Sequence, residues 1–168
     1  MVGAILVGLI AGCGDDGSSA GPFGAGGVGE PDAGTLVEGD GYRGVLLDAG
    51  PTFEGAEGFV PTEADVARFE ERLPAALPAA VNASGEEVTP DDLGGYVRQY
   101  AGFVGVSGGS DEGRQLVVAG ICDTAAADGM GDWERGWIEV SDGGACFWDA
   151  TMDLATGEIL RVYFHGSG

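Results

Sequence analysis

Few residues in this chain could carry covalent or metal chemistry. The sequence holds three cysteines, Cys13, Cys122 and Cys146, and one histidine, His165, close to its C-terminal end. A serine nucleophile would have to use His165 as its base, and no Gly-x-Ser-x-Gly elbow is present. Gly105-Val-Ser-Gly-Gly-Ser110 is glycine-rich but lacks the lysine of a phosphate loop. Oxygen ligands are more plentiful. Asp123, Asp128, Asp132 and Glu134 fall in a glycine-containing stretch of the kind Ca²⁺ favours, without the alternating acids of an EF-hand. A solvated acidic loop is the simpler reading in a chain this acidic. Two carboxylates could also serve as the acid and base of a glycoside hydrolase, but no pair stands out among so many. The remaining candidate is recognition. Arg161, Tyr163 and His165 alternate along one segment and so share one stripe of a strand, and Arg and Tyr carry binding energy when exposed. The other aromatics of the C-terminal half suit core packing.

The N-terminus suggests an address. Residues 2–12 are all apolar or glycine, the length of a signal-peptide core and too short to span a bilayer. They end in Leu9-Ile10-Ala11-Gly12-Cys13, which resembles the lipobox of bacterial lipoproteins. That resemblance implies a signal peptide over 1–12, cleavage before Cys13, and acyl chains on its sulfur that hold the protein on membrane lipid. Position 14 is Gly, not the Asp that marks inner-membrane retention, so in a Gram-negative host the resemblance implies the outer membrane. With Cys13 acylated, Cys122 and Cys146 remain as one pair, expected to close as a disulfide in an oxidising compartment. Such a pair plus one histidine cannot supply a tetrahedral zinc set. A catalytic thiol is disfavoured for the same reason. No residue set calls for a cofactor.

Composition divides the chain. Residues 14–44 contain 11 glycines and six acids with few large apolar groups, so 13–41 reads as a disordered Gly/Asp-rich tether. Residues 42–168 are long enough for a single domain with one core. The net charge is −21, and there is no lysine. Removing the six tether acids from the 28 leaves 22 against seven arginines, or −15. A field of that sign repels phosphate backbones and excludes nucleic acid as a partner.

Within the domain, Tyr42–Asp48 reads as a first strand and 50–58 as a loop. Thr62-Glu63-Ala64-Asp65 is a capping box, with Val66, Phe69, Leu73 and Leu77 forming one apolar stripe behind it. The spacing predicts a helix over 62–77, loosened at Pro74 and ended by Pro78. Thr89-Pro90-Asp91-Asp92 predicts a second helix of about two turns. From Tyr96 the period becomes that of strands: 96–104 and 114–122 as a hairpin, an acidic loop over 123–135, then strands at 137–140, 145–152 and 158–164. Cys122 and Cys146 both fall on apolar stripes expected to face the helix. The fold class is α+β, one main amphipathic helix on a four- to five-stranded antiparallel meander.

The last hairpin, Ala145 to Val162, resembles the end of PepSY and cystatin-like domains, with Asp153, Thr156, Gly157 and Glu158 at the turn. That resemblance implies a small non-enzymatic module of an inhibitor-like kind, with an envelope protein as partner. The sequence thus reads as an exported, lipid-anchored, non-catalytic binding or interaction module. The alternatives are a small surface hydrolase using carboxylates, or a Ca²⁺-stabilised surface protein. Cys13→Ala is expected to move the protein from the membrane to the soluble fraction of lysed cells, and retention in the membrane would refute lipidation there.

Overall fold

The computed structural model describes residues 33–48, 50–51, 56–82, 85, 93–104, 113–129, 131–141 and 143–166. In chain order the elements are β1 (Thr35–Gly39), β2 (Tyr42–Leu46), β3 (Glu57–Phe59), α1 (Glu63–Ala76), β4 (Val81–Asn82), β5 (Tyr96–Val104), β6 (Arg114–Cys122), α2 (Asp123–Ala127), β7 (Phe147–Asp153) and β8 (Ile159–Phe164). One sheet contains all eight strands in the order β1-β2-β5-β6-β7-β8-β4, with β3 also paired to β5. The fold is α+β: one main helix and a mostly antiparallel sheet.

The antiparallel run β5-β6-β7-β8 is the meander that the alternating sequence calls for, and β5 and β6 keep the bounds read from it. The expectation of four to five strands falls short because the additional strands are short and use neighbours far along the chain. β2 joins β5 in parallel, β4 joins β8 in parallel, and β3 lies beside the C-terminal end of β5. Two further readings are corrected. The sheet begins at Thr35, inside the stretch assigned to the tether. A two-residue turn at Asp40-Gly41 lets β1 fold back on β2, with Gly41 at φ +78 and Val37 buried. Residues 137–140, expected as a strand, pair with no strand and cross the face of the sheet. The second helix at Thr89–Asp92, and residues 13–32 of the tether, lie outside the described residues.

Helix α1 starts as its sequence dictates. The Asp65 amide donates to Thr62 Oγ1 at 3.2 Å, and the Thr62 amide donates to Asp65 Oδ2 at 3.0 Å. Val66, Phe69 and Leu73 are buried against Tyr100, Leu116, Val118, Trp148, Ala150 and Val162. Three fully buried apolar side chains contribute on the order of 5–9 kcal/mol. Pro74 sits in the last turn, and the chain tightens to a 3₁₀ turn over Leu77–Ala79. From the outer side of the helix, Arg68 donates to the Leu154 carbonyl at 2.6 Å and Arg72 to the Gly157 carbonyl at 2.7 Å. Both carbonyls belong to the β7–β8 turn. That turn is built by Asp153, whose Oδ1 accepts from the Ala155 and Thr156 amides at 2.8 and 2.9 Å. The Asp-x-x-Thr-Gly-Glu motif therefore spends its polar groups on making the turn.

Beneath the helix, Trp148 lies over Gly120 so closely that a Cβ there would sit 2.1 Å from the indole. Beside it is a buried charge. Arg98, 1% exposed, donates to the Tyr96 and Leu93 carbonyls at 3.1 Å each, and its Nε lies 3.0 Å from Glu70 Oε1. Tyr100 Oη donates to the same carboxylate oxygen at 2.7 Å. Burial pushes the Glu70 carboxyl above the usual carboxylate range, against the opposing pull of Arg98 and the Tyr100 hydrogen bond. Burial, then the Glu70 charge, pushes Tyr100 far above the ordinary phenol range, so it remains a donor.

A carboxyl whose pKa is raised in the folded state takes its proton there before the unfolded chain does. Its contribution to stability is complete below the unfolded pKa and falls as pH rises through the folded one. Glu70→Gln removes that dependence. The unfolding free energy of the variant relative to the native chain is expected to shift in the variant's favour between about pH 4 and about pH 7. Urea titrations at the two pH values would check this, and a difference independent of pH would refute it.

Candidate functional site

The second face of the sheet is covered mainly by extended chain, with Ala125 and Ala126 of the short helix α2 at one end. Side chains that point away from α1 line up in rows across β5 to β8. Val97, Ile121 and Phe147 form one row, continued by His165 just past β8; Gln99, Ala119, Asp149 and Tyr163 form the next; Ala101, Val117, Thr151 and Arg161 form a third. The segment 131–141 runs over the β5–β6 half of these rows. Trp133, Ile138 and Val140 pack on Val97, Ile121 and Phe147, and Trp137 packs on Ala101, Phe103 and Val117. The alternation at 137–140 that resembles a strand is thus the pattern of a segment lying flat on an apolar surface.

Gln99 fastens that segment. Its Nε2 donates to the Trp133 and Gly136 carbonyls at 2.7 Å each, and its Oε1 accepts from the Ile138 amide at 2.8 Å. The side chain is fully buried, so these bonds form away from competing water. Gly34, just before β1, adds a bond from its amide to the Glu134 carbonyl at 2.7 Å.

Because the segment covers β5, β6 and only the Phe147 end of β7, a cavity of about 320 Å³ opens between its edge and the rest of β7 and β8. Its floor is Val117, Asp149, Thr151, Arg161 and His165, and its wall is Trp137 to Ser141 with Pro51 opposite. His165 Nε2 lies 2.9 Å from Asp149 Oδ2. Tyr163 stands beside them, its ring 5.5 Å from that of His165, and the Arg161 guanidinium lies 5.7 Å from the Tyr163 ring centre. The volume is at the small end of the range that holds organic ligands, and the lining mixes an apolar wall with a few convergent polar groups, the usual make-up of such sites.

A second cavity, of about 350 Å³, lies between α1 and the β1–β2 turn and includes Glu70, Glu71, Asp40 and Arg98. Its central charges are already committed to each other and to Tyr100. The cavity on the far face is the better candidate.

The structure brings Arg161, Tyr163 and His165 onto one face, as their alternation implies. Cys122 and Cys146 form a disulfide, with Cα atoms 4.9 Å apart. Cys146 lies in a 3₁₀ turn ahead of β7 and packs with Val97, Ile121 and Phe147, on the far face rather than under the helix as its stripe suggested. The bridge contributes roughly 3 kcal/mol by the loop-entropy argument. Asp123 pairs with Arg43 at 2.8 Å, and Asp132 pairs with Arg135, three residues on. With Asp128 and Glu134 they do not converge, and among the described residues no group of three or more His, Cys, Asp or Glu could hold a metal ion. Cys13 lies outside the described residues. Comparison with protein-family models, curated proteins and solved structures finds no match.

Asp149, Thr151 and the wall Trp137–Ser141 are absent from the residues singled out by sequence. One signal could have found the wall: Gln99 on the strand face it shares with Val97, Ala101 and Phe103, a buried amide among apolar residues that must have partners. Gln99→Ala leaves two carbonyls and an amide without their partner. It is expected to lower stability by about 2–4 kcal/mol and to speed amide exchange at Ile138 while the helix stays protected. Unchanged exchange at Ile138 would show that Gln99 does not hold the segment.

Proposed function

We propose that this chain is a lipid-anchored, non-catalytic module of the cell envelope that binds its ligand on the sheet face away from the helix. The observation that carries the reading is the cavity walled by Trp137–Ser141 and floored by Arg161, His165 and Asp149. It lies on the stripe whose residue types suit recognition, and one wall is a segment fixed by buried hydrogen bonds. A pre-formed wall lowers the ordering cost of binding. The lipobox-like sequence at Cys13 supplies the anchor, and the charge of the domain suits an exposed surface. The likeness of the last hairpin to PepSY and cystatin-like domains favours an inhibitor-like use, with a protein of the envelope as partner.

A second reading has one observation in its favour. Asp149 and Glu139 line the same cavity, Asp149 is bonded to His165, and Ser141 lines it as well. A carboxylate-using surface hydrolase would place its acid and base there. The Ca²⁺-stabilised reading has less support, since Asp123 and Asp132 already pair with arginines.

Full-length protein purified from its own envelope should carry a bound compound or peptide, detected by mass spectrometry after denaturation, that is lost from Trp137→Ala. Turnover of ester or glycoside substrates by the native protein, abolished in Asp149→Asn, would replace the non-catalytic reading with the hydrolase.

A further inference from the structure

Four of the seven arginines pair with carboxylates. Arg43 pairs with Asp123, Arg68 with Asp65, Arg98 with Glu70 and Arg135 with Asp132. Arg72 bonds a turn carbonyl, and Arg114 lies over the Phe59 ring at 4.1 Å. Arg161 differs in its place. It is exposed on β8, lies over the Tyr163 ring at 5.7 Å, and lines the far-face cavity, with no carboxylate partner among the described residues. From residue 33 on the chain carries 24 acids (28 less Asp15, Asp16, Glu30 and Asp32) against seven arginines, so a guanidinium without a carboxylate partner on the floor of a cavity offers an anionic ligand a local exception to the negative surface. The acid on the next row of the floor, Asp149, is held by His165. Thr151, the direct cross-strand partner of Arg161, adds a hydroxyl donor on the same floor.

We propose that the cavity takes a small organic carboxylate with an aromatic or branched apolar body. The carboxylate sits on Arg161, and the body lies against Trp137, Ile138, Val140 and Val117. A guanidinium offers two parallel N–H donors that match the two oxygens of a carboxylate. A phosphate fits less well: a second negative charge would meet Glu139 and the strongly negative domain with only one arginine to oppose it. A cationic ligand would have to approach Arg161, while Asp149 already has a hydrogen-bonding partner in His165 at 2.9 Å. The apolar wall sets the body, and the volume of about 320 Å³ limits it to the size of one aromatic residue or a short branched acid. The same chemistry could come from a free acid or from the C-terminal residue of a peptide.

This inference rests on the far-face cavity being the ligand site, and the test separates the two claims. Full-length protein in detergent micelles is titrated with hydrocinnamate, hydrocinnamide and phenethylamine, and with a tripeptide ending in phenylalanine as the free acid and as the amide. Binding is read by NMR shifts of the probes and of the Trp137 indole. Hydrocinnamate is expected to bind, and its amide at least about tenfold more weakly. Arg161→Gln is expected to weaken the acid about ten- to a hundredfold without moving the melting temperature, with Arg161→Lys in between. Tighter binding of the free-acid tripeptide than of hydrocinnamate would identify a peptide terminus as the source, and the reverse a free acid. Equal binding of acid and amide, or full binding by Arg161→Gln, would overturn carboxylate recognition while leaving the cavity a ligand site. Preference for phenethylamine, or no response to any probe, would overturn it as well, and the cavity would then be judged by the compound that co-purifies with the native protein.

Discussion

The carboxamide of Gln99 decides what the far face of this sheet can be. Without it, the segment 131–141 would have apolar side chains directed at the sheet but only the Gly34–Glu134 backbone bond to fix their position along it. With it, two carbonyls and one amide of the segment are bonded to a single buried side chain in the centre of β5. Each such bond contributes only about 1 kcal/mol net, but together they set position and register, which apolar contact alone does not. The edge of the fixed segment then becomes the wall of a cavity, and β7 and β8 are left bare enough to display Asp149, Arg161 and His165.

The two faces are held differently. On the helix side, shape does most of the work: Val66, Phe69 and Leu73 fill the surface above Trp148 and Tyr100, and Arg68 and Arg72 reach across to the β7–β8 turn. The buried Glu70–Arg98 pair costs desolvation, and much of its value is orientation, since removing either partner would strand the other charge. On the far side, polar bonds to backbone set the geometry, and the apolar clusters are small. A ligand site is more easily built where the covering chain is positioned by a few bonds than where a whole helix is packed flat.

Much of the frame was legible because it is local. The capping box at Thr62 and the stripe behind it give α1, and the alternation in 96–104 and 114–122 gives the central hairpin. The Asp153 turn is equally local, since its bonds join neighbours within five residues. What escaped is non-local. β1, β3 and β4 are too short to show a period, and each depends on a partner brought by the fold. The segment 137–140 has the pattern of a strand because any extended chain on an apolar surface needs alternate contacts. Half of the site was legible for the same reason: Arg161, Tyr163 and His165 share a stripe along β8 and the residue just past it, whereas Asp149, Thr151 and the wall come from elsewhere.

The bridge between Cys122 and Cys146 spans 24 positions and encloses the covering segment entire. The wall of the cavity is therefore a closed covalent cuff whose two ends are riveted at the rim of the sheet. A protease that cuts the cuff once leaves both new ends attached, one through the peptide chain and one through sulfur. The two halves of the sheet stay joined through a nick that would otherwise divide β6 from β7. For a domain whose cavity wall is extended chain rather than helix, damage at the wall becomes a local event.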